Sequence, residues 1–113
     1  MHADAIKYLW DAREAAQRVQ RFIGTNSFAD YQANELLRSG VERQLEIVGE
    51  AMSQLRRVDH ATFDLLPDAN RVVGFRNVLA HGYASVDDKI VWGIVIGHLA
   101  PLIASLDKLL IDN

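Results

Sequence analysis

The chain has no cysteine, two prolines in 113 residues and no surplus of positive charge. Without cysteine there is no disulfide framework, no thiolate metal site and no cysteine nucleophile. The same absence favours a reducing, cytoplasmic setting. Two prolines and seven glycines leave few interruptions, and nothing reads as a linker, an internal repeat or a low-complexity tract. No segment alternates apolar and polar residues long enough to make a strand. The opening MHADAIKYLWDARE lacks the basic-then-apolar order of a signal peptide. A net charge of −3 argues against a protein that coats nucleic acid nonspecifically. What is present, 50% hydrophobic and 24% charged residues, is the composition of an ordinary folded protein, expected as one domain over residues 1–113.

The apolar spacing says helix almost throughout. From about Ala3 to Ile23, Ile6, Leu9, Trp10, Ala16, Val19, Phe22 and Ile23 recur at helical steps, and Gly24 with Asn26 stops the run. Ser27 and Asp30 read as a capping box opening a short helix through Tyr31. Leu37, Val41, Leu45, Val48, Met52 and Leu55 form one continuous stripe of a long helix ending near Val58. Phe63, Leu65 and Leu66 are expected to tuck under the core from a loop or short helix. A further helix spans about Ala69 to His81, closed by Gly82. Ser85 and Asp88 read as a second capping box for a last helix reaching nearly to the C-terminus. The expectation is an all-α, up-and-down bundle of four main helices plus a short one.

Residues 90–106, IVWGIVIGHLAPLIASL, contain no Asp, Glu, Lys or Arg. That run falls short of the roughly 20 residues of a membrane span and holds two glycines, a histidine and Pro101. No membrane is expected. One face should pack in the core and a second against another subunit, with Pro101 bending the helix. His98 reads as a hydrogen-bonded interface histidine. His2, His60 and His98 show no metal-ligand spacing, and no metal or other cofactor is expected.

Candidate chemistry concentrates in FRNVLAHGY, residues 75–83. Arg76 and His81 are five apart, which in an unbroken helix turns them roughly 140° from each other. If His81 ends the helix before Gly82, its ring can swing toward the side where Arg76 projects. Taken alone, the spacing equally fits an Arg on a solvated face and a His capping a helix end. On the long helix, Arg43, Glu46 and Glu50 fall at i, i+3 and i+7. They form either a salt-bridged surface or, through Glu50, a support for Arg76.

GFRNVLAHGYASVDDKIVW resembles the signature of the HEPN superfamily (higher eukaryote and prokaryote nucleotide-binding), specifically its HepT-like branch of small toxins. That branch carries R-N-x-x-x-H-x-Y, here Arg76, Asn77, His81 and Tyr83. VERQLEIVGEAMSQL, residues 41–55, is similar to the family's long helix with its I-G-E-A segment. Val86, Asp87, Val91 and Trp92 fit a third block. The resemblance covers essentially the whole chain.

It implies the toxin of a type VII-like toxin–antitoxin system: a metal-independent endoribonuclease that cuts tRNA or mRNA. The active site would form between two protomers of a homodimer. Cleavage without metal needs a base, an acid and positive charge on the phosphorane. His81 takes the acid/base role, and Arg76 clamps the scissile phosphate. Asn77 orients His81 or donates to a phosphate oxygen; helix-surface polarity is the alternative. The family's partner is an MNT-type minimal nucleotidyltransferase antitoxin, which would add AMP to Tyr83 and block RNA by charge and volume. Packing at a helix end is the plainer role for that tyrosine. The other functional class compatible with such a chain is a non-catalytic helical partner of a nucleotidyltransferase. One departure from the family pattern follows the VW pair: Gly93, Ile94, Ile96, Gly97 and His98 stand where relatives place charged residues, which implies an extra apolar contact with antitoxin or a further copy.

The charge deficit is uneven. Residues 1–83 hold 10 basic and 11 acidic side chains, and 84–113 hold 2 and 4. Arg56, Arg57, Arg71 and Arg76 fall within 21 positions. A two-fold axis would double them at one cleft, so a few phosphates can be gripped with modest affinity.

Overall fold

A computed structural model describes residues 1–80 and 87–111, the side chains of 75–80 excepted. The described residues form seven helices: α1 (Ala5–Ile23), α2 (Phe28–Ala33), α3 (Glu35–Val58), α4 (His60–Phe63), α5 (Ala69–Ala80), α6 (Asp88–Gly97) and α7 (Leu99–Ile111). No strand occurs among them, as the all-α reading requires. At 1.5 Å per residue the 24-residue α3 is about 36 Å long, which accounts for most of the 42 Å long axis. It is the spine of the bundle: α1 packs along it on one side and α5 on another, while α7 lies against α1.

The α3 stripe behaves as its spacing dictates. Val41, Leu45, Val48, Met52 and Leu55 are buried, with Leu37 half-buried at the upper end. The face that α1 offers in return is built largely of small residues. Ala5, Ala12, Ala15 and Ala16 join Leu9, Val19 and Ile23 in the core, whereas Ile6, Trp10 and Phe22 remain largely exposed. Small residues let two backbones approach closely, and that leaves no room for the larger side chains between them. Trp10 is instead covered on one face by the Arg13 guanidinium, 4.2 Å from the ring centroid. Arg13 also reaches Asp107 at 3.3 Å, tying α1 to α7.

The turns follow local chemistry. Gly24 ends α1 with φ of 50°, a conformation that favours glycine. The Ser27–Asp30 capping box is present: the Asp30 N–H donates to Ser27 Oγ at 3.1 Å, and the Ser27 N–H to Asp30 Oδ2 at 2.9 Å. Asn34 caps α3 by accepting from the Leu37 N–H. Asp59 plays that part for α4, accepting from the Thr62 N–H and Oγ1–H, and from the His2 N–H. These donors hold its carboxyl below the usual carboxylate range. Phe63 and Leu66 are buried as expected, but Leu65 is 63% exposed.

The C-terminal region corrects two expectations. Asp87, not Ser85, caps α6 by accepting from the Lys89 N–H at 2.8 Å; Ser85 itself lies outside the described residues. The single last helix is two helices meeting at 44° around His98. Pro101 supplies the cause, since it cannot donate to the carbonyl of Gly97 and its ring crowds that carbonyl. Among the described residues no single helix is long and apolar enough to cross a membrane. Trp92 anchors α6 against α2, its ring 5.8 Å from Phe28 and 5.5 Å from Tyr31.

Candidate active site and its surroundings

The candidate site is carried by α5 and the chain that follows it. Ala69, Val72 and Val73 are buried and dock the first half of α5 on the spine helix. Arg76 and Asn77 belong to the second half, which is described as helix through Ala80. His81 and Tyr83 lie outside the described residues. Arg76 follows Val72 by four positions and Val73 by three, on the helix that runs against α3.

The supporting residues proposed on α3 separate into two environments. Arg43 makes an exposed ion pair with Glu46, 3.3 Å, a contact worth little at the surface. Glu50 accepts from Gln54 Nε2 at 3.2 Å and lines a groove of about 450 Å³ between α1 and α3, shared with Lys7, Trp10, Glu14 and Arg18. Two other arginines of the expected basic cluster are engaged locally. Arg56 lies over the Phe63 ring at 5.5 Å, and Arg57 donates from Nε and Nη2 to Gln54 Oε1. Both sit in the last turn of α3, where cations favour the negative helix end.

On the other side of α5 a second groove, of about 440 Å³, opens toward α6. Arg71 and Lys89 line it with Ile90, Ile94 and His98, over the two glycines Gly74 and Gly93. The His98 Nδ1 and Asp68 Oδ1 are 2.5 Å apart, fixing the imidazole from the residue that precedes α5. His98 is thus hydrogen-bonded, as its place in an apolar helix suggests. Its acceptor, thirty positions away, carried no sequence signal. Sequence reading groups Arg71 with Arg56, Arg57 and Arg76 but not with Lys89, which follows Asp87 and Asp88 and is brought to the same groove only by the fold.

Aligned against known families, residues 12–109 match the model described as Ribonuclease HepT-like. The chain belongs to the HepT-like family. Individual relatives agree in length as well as sequence. "Putative RNase MJ1380" of Methanocaldococcus jannaschii is 33% identical over 92 residues, covering 81% of this chain and 84% of that one. "Probable ribonuclease HepT" of Thermococcus cleftensis is 28% identical over 102 residues, 90% and 92% of the two chains. "Putative RNase TTE0752" of Caldanaerobacter subterraneus is 27% identical over 84 residues, 74% of each. No solved structure matches the chain at the same stringency. As a HepT-like chain of the HEPN superfamily, the molecule has the helical bundle its sequence calls for, and its motif stretch falls inside the matched region.

Proposed function

We infer that this HepT-like chain is an endoribonuclease toxin that cleaves RNA by internal transesterification at a cleft shared by two copies. The observation that carries the reading is the family match over residues 12–109, a range that includes residues 75–83. In that role His81 of one copy removes the 2′-hydroxyl proton, and the freed oxygen attacks the adjacent phosphorus. The second copy's histidine protonates the departing 5′-oxygen, leaving a 2′,3′-cyclic phosphate. Arg76 spans two phosphate oxygens with its planar fork and gains hold as charge builds on the phosphorane. Asn77 orients His81 or adds a further donor. The packing of α5 on α3 supports Glu50 as the residue that positions Arg76, with Arg43 and Glu46 extending the polar row.

Tyr83, two residues beyond His81, is the acceptor through which an MNT-type nucleotidyltransferase antitoxin silences the toxin. Each AMP added there places a phosphodiester anion beside the histidine, repelling RNA. Induced expression tests the reading in cells. Wild type should arrest growth, while Arg76→Ala and His81→Ala should not. Co-expression with the nucleotidyltransferase should restore growth and add the mass of AMP to wild type but not to Tyr83→Phe. Equal growth of all three chains without antitoxin would instead favour the non-catalytic partner role.

A further inference from the structure

The groove between α5 and α6 lies beside the motif rather than in it, and its lining has a consistent chemical character. Arg71 and Lys89 face into it from two different helices, and neither has an ion-pair partner among the described residues. Each stands in the first turn of its helix, Arg71 in α5 and Lys89 in α6. There a cation opposes the positive end of the helix dipole, where an acidic residue is the stabilising choice. Nearby carboxylates are turned elsewhere. Asp68 is held by His98, and Asp87 accepts from the Lys89 N–H.

The glycines of the groove floor tell the same story. Gly74 and Gly93 are helical, with no positive φ to require glycine. A Cβ built on either would meet nothing within 4 Å. Each therefore gives up roughly 1 kcal/mol of helix propensity relative to alanine without an internal reason. Two uncompensated local costs converge on one cavity, which marks a place where backbone is kept bare for something to approach closely.

We propose that the α5–α6 groove is an anion subsite that holds a backbone phosphate of the RNA strand flanking the scissile position, with Arg71 and Lys89 as its two cationic contacts. The inference rests on the ribonuclease reading for the identity of the ligand. Its position supports that choice, because one wall is α5, whose second half carries the start of the 75–83 motif, and the other is α6, the next helix after it. Among the described residues the groove is lined by cations, glycines, isoleucines and His98, a lining suited to phosphate and ribose contact. His98, fixed through Nδ1 by Asp68, forms the far wall and keeps that carboxylate out of the phosphate's way.

The test uses the full-length chain carrying His81→Ala, so that RNA survives, titrated against a labelled single-stranded RNA dodecamer at several salt concentrations. Arg71→Ala and Lys89→Ala should each raise the Kd about 3–10-fold and lower the slope of log Kd against log salt by about 0.7, the value of one phosphate contact on a single strand. Gly93→Leu, whose side chain enters open space, should weaken binding with the fold intact by circular dichroism. Lys108→Ala, on α7, serves as the charge control and should leave both quantities unchanged. Equal slopes for the Arg71, Lys89 and Lys108 variants would overturn the subsite, as would absence of RNA binding by the parent. Loss of dimer or of antitoxin binding on Gly93→Leu or Arg71→Ala, with RNA slopes unchanged, would overturn it in favour of a protein contact. If Arg71-dependent RNA binding persists but the His81-containing chain never cuts RNA, the catalytic reading fails and the subsite stands.

Discussion

Asp68 and His98 are joined by a 2.5 Å hydrogen bond across thirty positions of sequence, and each stands at a helix junction. Asp68 precedes α5, and His98 is the residue at which α6 gives way to α7. The bond therefore pins the break in the C-terminal helix pair to the start of the helix that carries Arg76. Both side chains are partly covered, so the contact is less screened than a surface pair.

The pair should behave as a coupled unit. Asp68→Ala and His98→Ala are each expected to destabilise the fold. A double-mutant cycle by urea unfolding should return a coupling of about 1 kcal/mol. Additive effects would show that the bond holds nothing.

Glu42 offers a pH-dependent prediction. Burial, and then the neighbouring Asp88, push its carboxyl above the ordinary range against a smaller pull from Arg38. A raised acid costs stability above its folded pKa, and the cost disappears as pH falls through that value to below the unfolded one. Glu42→Gln should accordingly raise Tm by a few degrees at pH 7. The gain should shrink toward zero as pH is lowered to about 4. A variant that loses stability at neutral pH would show that Glu42 is a net stabilising charge.

Trp92 and Tyr31 make a contrasting pair. Truncation of Trp92 removes the ring packed on Phe28 and Tyr31, and Trp92→Ala should cost about 2–4 kcal/mol by denaturant unfolding. The Tyr31 ring is fully buried, yet its hydroxyl has no hydrogen-bond partner among the described residues. Tyr31→Phe removes that buried polar atom while keeping the ring, so stability should stay level or rise. A marked loss in Tyr31→Phe would mean that the hydroxyl is satisfied in solution.

How much of this was legible in the sequence depended on whether the signal was local. The α3 stripe, the Ser27–Asp30 capping box and the stop at Gly24 are short-range patterns, and each appears where its spacing puts it. Ile6, Trp10 and Phe22 keep the helical spacing that marks α1 yet stay exposed, because hydrophobicity marks what can be buried. It does not say which face wins when a row of alanines permits closer helix packing. The Ser85–Asp88 box failed on a near-degenerate choice of caps, since Asp87 lies two residues on and offers the same acceptor chemistry. The bend foreseen at Pro101 was legible, but its consequence, a break at His98 whose ring then turns to Asp68, was not. The motif residues were legible only through family resemblance, because Arg-x-x-x-x-His alone also describes an ordinary helix end. Arg71 and Lys89 could not be grouped from sequence at all, as the fold rather than spacing unites them.

The most direct test of the central claim is the rate at which the purified full-length chain cleaves single-stranded RNA in EDTA, compared with Arg76→Ala and His81→Ala. The account predicts cleavage by wild type that leaves 2′,3′-cyclic phosphate ends. Each substitution should lower the rate by about 10²–10⁴-fold, the contribution of a positioned acid/base or of a charge-stabilising donor. Equal rates for the three chains, or cleavage that appears only when a divalent metal is supplied, would contradict it.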